Sequence, residues 1–292
     1  MRGYKKRDWI IAGIMAVFCI IGTVLLLFGS GISEKSGNME FKLNESKDAY
    51  VLTSYNDTPG QTELVIPDEF NGLPVTAIGE LAVQRCDNLS KIVIGKNIES
   101  IDKWGIINCR YLKKIVVDEE NKFFSDLDGI MMNRDKTTLL VYPNAHIAEY
   151  DKNGALKETV SVAVPEGVET ISYGAFYKCY AIEEIILPPS VSVIEERAFH
   201  GCENLKSAVL NEGLRSLGKD AFMRCYSLAE ITLPSTLREV GDFVFYDCNI
   251  LRDITILAPQ SELKQGSRWL PEAGRTAVEP VWKYPNEFSS AG

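Results

Sequence analysis

Histidine is almost absent from this 292-residue chain: His146 and His200 are the only two. That leaves little material for a Ser-His-Asp triad or a histidine-rich metal centre. Neither a Gly-rich phosphate loop nor an HExxH or GxSxG motif is present. Positive charge is in deficit, with 31 Lys and Arg against 40 Asp and Glu and a net charge of -9. Because the opening residues MRGYKKRD are basic, the remainder is more acidic still, which argues against nucleic acid as a partner. The paired acids Glu183-Glu184 and Glu195-Glu196 read as a solvated face and not as a glycosidase pair. The sequence is therefore expected to be non-catalytic, with no cofactor and no metal.

Long hydrophobic runs are equally scarce, and the one that exists is Trp9–Phe28, which carries no charge. Its length, about 20 residues, is what a helix needs to cross a hydrocarbon core of about 30 Å. Lys and Arg on its N-terminal side place that end in the cytoplasm and the rest of the chain outside the cell. The competing reading is a signal peptide cleaved near Gly29 and Gly31, which would release a secreted chain. A signal h-region usually spans only about 7–15 residues, so a retained single-pass anchor is the reading adopted.

What the chain does have is a repeat. VETISYGAFYKCYAIEEIIL, VSVIEERAFHGCENLKSAVL, LRSLGKDAFMRCYSLAEITL and LREVGDFVFYDCNILRDITI place Cys179, Cys202, Cys225 and Cys248 at a constant interval of 23. Self-similarity at this period signals coils stacked into a solenoid. In the first copy Val168, Ile171, Ala175, Phe176, Cys179, Ile182, Ile185 and Leu187 are the apolar positions. They fit neither a 3.6 nor a 2.0 period throughout, but they do fit a coil passing from turn to short helix to strand. Cys86 and Cys109 keep the same interval in two earlier coils. Cysteines stacked in one column would lie roughly 4.8 Å apart with parallel side chains. A disulfide needs Cβ atoms about 3.8 Å apart with a specific torsion, so buried free thiols are expected instead.

In order, the chain divides into a basic segment (1–8), the membrane helix (9–28), a small polar linker (29–40) and a capping hairpin (41–63). The solenoid follows (64–257), then a C-terminal cap or tail (258–292). The hairpin is read from Phe41–Leu43 and Tyr50–Tyr55. An insertion at 118–159 interrupts the register, with alternating runs at Ile130–Met132 and Thr138–Tyr142 around the turn NRDKT.

These coils resemble the BspA-like leucine-rich repeat family, whose unit runs roughly I-P-x-x-V-x-x-I-G-x-x-A-F-x-x-C-x-x-L-x-x-I-x-I-P. It stands here as VPEGVETISYGAFYKCYAIEEIILP, and the resemblance covers about residues 64–257. Val83 and Ile106 depart from it by replacing the Phe. The segment FFSDLDGIMMNRDKTTLLVYP is similar to the hairpin insertion common between such repeats. The resemblance implies an α/β leucine-rich-repeat solenoid, with a parallel sheet on one face and short helices or turns on the other. It also implies export by bacteria, display at the cell surface, and recognition or adhesion without catalysis.

Within such coils, alternation along the strands leaves Val93, Val116, Ile186, Val209, Thr232 and Thr255 on the open face of the sheet. Beside them run Lys91, Lys114, Glu184, Ser207, Glu230 and Asp253, so the face grades from basic and apolar to acidic and hydroxylated. This is the candidate binding surface. A second is the tyrosine scatter Tyr111, Tyr177, Tyr180, Tyr226 and Tyr246, which could stack on sugar rings or simply pack between coils. His200, in the same column as Tyr177, Met223 and Tyr246, reads as packing. The expected partner is an extracellular protein or glycan, besides the lipid bilayer around residues 9–28. The alternatives are a passive envelope scaffold and, third, an enzyme with its site in the insertion or the tail.

Overall fold

The computed structural model describes residues 33–273 and 276–283. The basic segment 1–8 and the stretch 9–28 read as a membrane helix lie outside the described residues. Among those described, no helix is long and apolar enough to cross a membrane.

The chain starts with an antiparallel sheet of Glu34–Ser36, Met39–Leu43 and Tyr50–Tyr55. Strand pairing thus begins inside the stretch read as a linker. Tyr50–Tyr55 also pairs in parallel with Leu73–Ile78, so the cap hands its register directly to the first coil. Phe41 and Leu52 seal the end of the core beneath it.

From there parallel strands stack coil upon coil, as the 23-residue period requires. One side of the solenoid carries the strand face, and a second carries a narrower ladder. That ladder runs from Thr138–Val141 through Thr170–Ile171, Val193–Ile194, Ser216–Leu217 and Glu239–Val240 to Lys264–Gln265. The pairing continues past residue 257, because Val281–Trp282 also adds to Asp253–Ile256. The described part of the segment read as a cap or tail therefore adds strands to the coils before it.

The third side corrects the α/β expectation. Where short helices were allowed for, the described residues hold turns, and their only helical element is the 3-10 turn Gln260–Glu262. Hydrogen bonding gives the reason. Ala175, Tyr177 and Cys179 donate their N–H groups three residues back, to Ser172, Gly174 and Phe176. The intervening Gly174, Phe176 and Lys178 donate sideways instead, to Glu196, Ala198 and His200 of the next coil at 2.8–3.2 Å. An α-helix would need every donor for its own i−4 carbonyl. The same alternation recurs at Arg197–Gly201 and at Asp220–Arg224. The fold is a β-solenoid.

Inside, Phe176, Phe199, Phe222 and Phe245 stack with ring centroids 4.9, 5.0 and 5.7 Å apart. Tyr142 from the insertion begins the stack at 4.7 Å, and Trp269 ends it at 6.4 Å. Beside this column all six described cysteines are buried and free. The thiols of Cys202, Cys225 and Cys248 donate to the carbonyls of Phe176, Phe199 and Phe222 at 3.1–3.3 Å. Cysteine thus serves as a small hydrophobe with one weak donor, tying each coil to the one before it. Burial pushes the Cys202 thiol up to about 12 and holds Cys179 and Cys225 well above the usual range. Because all six are buried and free, they should stay silent to a thiol reagent in the native protein and all react after denaturation without reductant. Two or fewer titrating would overturn the ladder.

The insertion forms an antiparallel meander of Phe124–Leu127, Ile130–Asn133 and Thr138–Val141, one strand more than its alternation indicated. Asp128 and Gly129, both at positive φ, make the tight turn between the first two. Neighbouring side chains on the middle strand serve different cores: Met131 is sealed among the N-terminal coils and Met132 among the C-terminal ones. Asn121 pins the start of the meander. Its side chain donates to Gly95 and Ile98 carbonyls and accepts from the Phe123 and Phe124 N–H groups, all within 2.8–2.9 Å.

Candidate recognition surface

Alternation along the strands sends Ile92, Ile94, Ile115 and Ile185 into the core and turns their neighbours outward. Val65, Val93 and Val116 stand side by side across three paired strands, with Val65 53% exposed. Ile186 and Val209, 39% and 42% exposed, pair in the same way in a second ladder beside Ala163. Thr232 and Thr255 continue the column in a third ladder, next to Val281. The predicted outward positions therefore do face solvent or lie half-buried on one face.

That face is not continuous. The insertion separates the first ladder from the second. Among the described residues, no ladder joins Ser207–Val209 to Glu230–Leu233. The break falls where Ala208 takes the inward position held by Ile185 and Ile231 in the adjacent coils. A cleft of about 360 Å³ opens there, lined by Ser207, Val209, Glu230 and Thr232.

A larger cleft, about 990 Å³, lies over the first ladder. Its floor is Val65, Val93 and Val116, and the meander raises one wall with Ser125, Asp126, Arg134 and Lys136. Asp126 stitches this wall in place by accepting the Val117 N–H at 2.8 Å. Asp68, Asp118 and Glu119 stand among the other lining residues, so an apolar floor is flanked by both signs of charge. The predicted basic end of the face is partly neutralised, since Lys91 pairs with Glu63 at 2.8 Å while Lys114 stays exposed. Glu184 accepts a hydrogen bond from the Ser207 hydroxyl at 3.4 Å.

With this geometry in place, the chain can be set beside known proteins. A family model for the BspA type leucine rich repeat region matches it in 6 copies, over residues 54–127 and 155–267. The chain belongs to that family. The gap in the match coincides with most of the insertion that walls the larger cleft. Among solved structures, the BspA-type chain is similar to a leucine rich cell surface protein from Faecalibacterium prausnitzii. The two are 15% identical over 86% of this chain and 98% of the other, at a TM-score of 0.43. It is also similar to the pneumococcal vaccine antigen PcpA (16% identical, 85% and 90% covered, TM-score 0.45). A third is the leucine rich repeat protein of T. pallidum (20% identical, 82% and 84% covered, TM-score 0.37). No curated protein matches the chain.

In this BspA-type chain the tyrosine scatter divides. Tyr111 packs edge-on against Tyr150, with Arg110 over both rings. Tyr177 stacks flat on His200 at 5.1 Å and meets Trp104 edge-on at 5.0 Å. Tyr246 meets Phe243 edge-on, Tyr180 is half-buried, and Tyr226 is exposed. The alternation rule missed the meander wall of the larger cleft, because a wall built by an insertion leaves no trace in the repeat columns.

Proposed function

We propose that this chain is a cell-surface recognition protein, held by residues 9–28 with its coils outside the cell, that binds another macromolecule and performs no chemistry on it. The observation that carries this reading is the cleft of about 990 Å³ over Val65, Val93 and Val116, an apolar strip on the open face of the sheet. A protein segment suits it best, since apolar side chains can settle on the valines while Arg134, Lys136 and the facing acids fix orientation.

The test is retention of a panel of purified extracellular matrix proteins on the immobilised full chain. Val93→Glu and Val116→Glu should each weaken retention by about tenfold or more while leaving the thermal midpoint in place. Ile186→Glu and Val209→Glu probe the second ladder in the same way. Equal retention by all four variants and the parent would remove the strand face from consideration.

A further inference from the structure

The turn face carries a site of a different kind. Each turn places two residues at positive φ, four positions apart, the conformation that glycine adopts at least cost. Glycine takes these places at Gly174 and Gly201, and both fit beneath a neighbour: Gly174 lies under the Trp104 ring and Gly201 under the Lys178 side chain. Elsewhere the first of the two columns holds Leu81 (φ 57), Trp104 (φ 63), Arg197 (φ 58), Asp220 (φ 56), Phe243 (φ 56) and Arg268 (φ 48). A bulky side chain in this region is strained, because its Cβ crowds the following carbonyl.

Of these side chains, all but Leu81 converge on a groove of about 500 Å³. Four cationic residues line it, Arg197, Lys219, Arg224 and Arg268, within a chain of net charge -9. Asp220 is the only acid among the lining residues; it is buried and accepts from Arg197 Nε at 3.0 Å, while Glu196 and Asp247, outside the lining, pair with Arg197 at 3.5 Å and with Arg224 at 3.3 Å. Aromatic faces alternate with the cations. The Arg197 guanidinium lies 5.6 Å from the Trp104 ring, and that of Arg268 lies 5.7 and 5.3 Å from Phe243 and Tyr246. Tyr177 and His200 add a stacked pair to the lining. His200 is 8% exposed, and its Nδ1 has no hydrogen-bond partner within the protein.

Most backbone donors in the groove lining are already used within the protein, those of Tyr177, His200, Met223 and Tyr246 inside their own turns. The N–H groups of Arg197, Asp220, Arg224 and Phe243 are all committed to the next coil. An extended peptide would therefore find no continuous row of main-chain donors to pair with, and a ligand is held chiefly by side chains. Guanidinium forks match carboxylate and sulfate oxygens two at a time, and aromatic faces offer flat apolar surface to a ring.

We propose that this groove is a second binding site, which takes an anionic saccharide, a chain bearing carboxylate or sulfate groups, laid along the turn face with its rings against the aromatics and its charges on the arginines. The site is independent of the strand-face cleft.

The experiment is affinity measurement on the full chain with four probes: a sulfated hexasaccharide, an oligogalacturonate, neutral dextran and polyglutamate. Binding of one or both acidic saccharides, with neither dextran nor polyglutamate matching it, is expected. Phe243→Gly and Arg224→Gly leave the backbone in a conformation glycine favours, and each should weaken saccharide binding by about tenfold without lowering the thermal midpoint. Val93→Glu should leave saccharide binding unchanged, which separates failure of this site from failure of the strand face. The proposal is overturned if neither acidic saccharide binds, if polyglutamate or dextran binds as tightly, or if both glycine variants bind like the parent.

Discussion

Replacing Phe199 with alanine should cost about 3–5 kcal/mol of stability, the range for truncating a large buried aromatic. Phe199 has no exposed surface and lies between Phe176 and Phe222, nearly parallel to both, with interplanar angles of 16° and 10°. Its removal leaves a void in the middle of a stack whose members touch only their neighbours. In an array stabilised by nearest-neighbour interfaces, two interfaces weaken at once. Urea unfolding of the variant and the parent measures the effect directly. A cost near zero would mean that the aromatic column is not what holds the C-terminal coils together.

The second large effect depends on pH. Burial, reinforced by the nearby Arg224 guanidinium and by Arg197 and Lys178, lowers the His200 pKa from 6.5 to about 4, with Asp220 opposing. Above pH 6.5 the imidazole is neutral in both folded and unfolded chains and contributes no pH dependence. Between 6.5 and 4 the unfolded chain takes up a proton that the folded one refuses, so stability falls as pH falls. The loss levels off at about 3 kcal/mol below pH 4. His200→Met, which places in this column the residue that Met223 already supplies one coil later, should remove that part of the acid sensitivity. Urea midpoints at pH 7 and pH 4.5 for both proteins provide the test. An equal loss on acidification in the two would exclude His200 as its source.

Much of the fold is legible in the sequence because stacking is a one-dimensional problem: a fixed interval between cysteines sets the register of every other column. The Phe column, the free thiols and the outward valines all follow from that interval. The turn side did not, because spacing cannot separate a helical turn from one that sends alternate N–H groups to the next coil. The residues that take positive φ there, Lys178, Arg197, Asp220 and Arg224 among them, give no glycine signal to mark a turn. The break beside Ala208 was equally silent, since alanine is an ordinary apolar residue in a column of apolar residues. The turn-face groove escaped because Trp104 joins Tyr177 and Arg197 only after the insertion has returned the chain to the following coil. No column comparison places residues on either side of an insertion against one another.

In the alternating turns at 174–178, 197–201, 220–224 and 243–245, the sideways hydrogen bonds run one way, from each coil to its successor. The solenoid is therefore directional. Its two ends are not equivalent, because a coil brings carbonyls for the turn before it and leaves N–H groups for the turn after it to satisfy. Ser267 and Trp269 close the series by accepting from Phe243 and Phe245 at 3.0 Å. A family built on this wiring can change length freely by duplicating or deleting coils in the interior, where donor and acceptor sets are interchangeable. Shortening from the C-terminal end would strand the Phe245 N–H in a buried setting. The last described coil thus supplies the acceptors for the turn before it, and it is free to vary in sequence provided that its backbone oxygens stay in place.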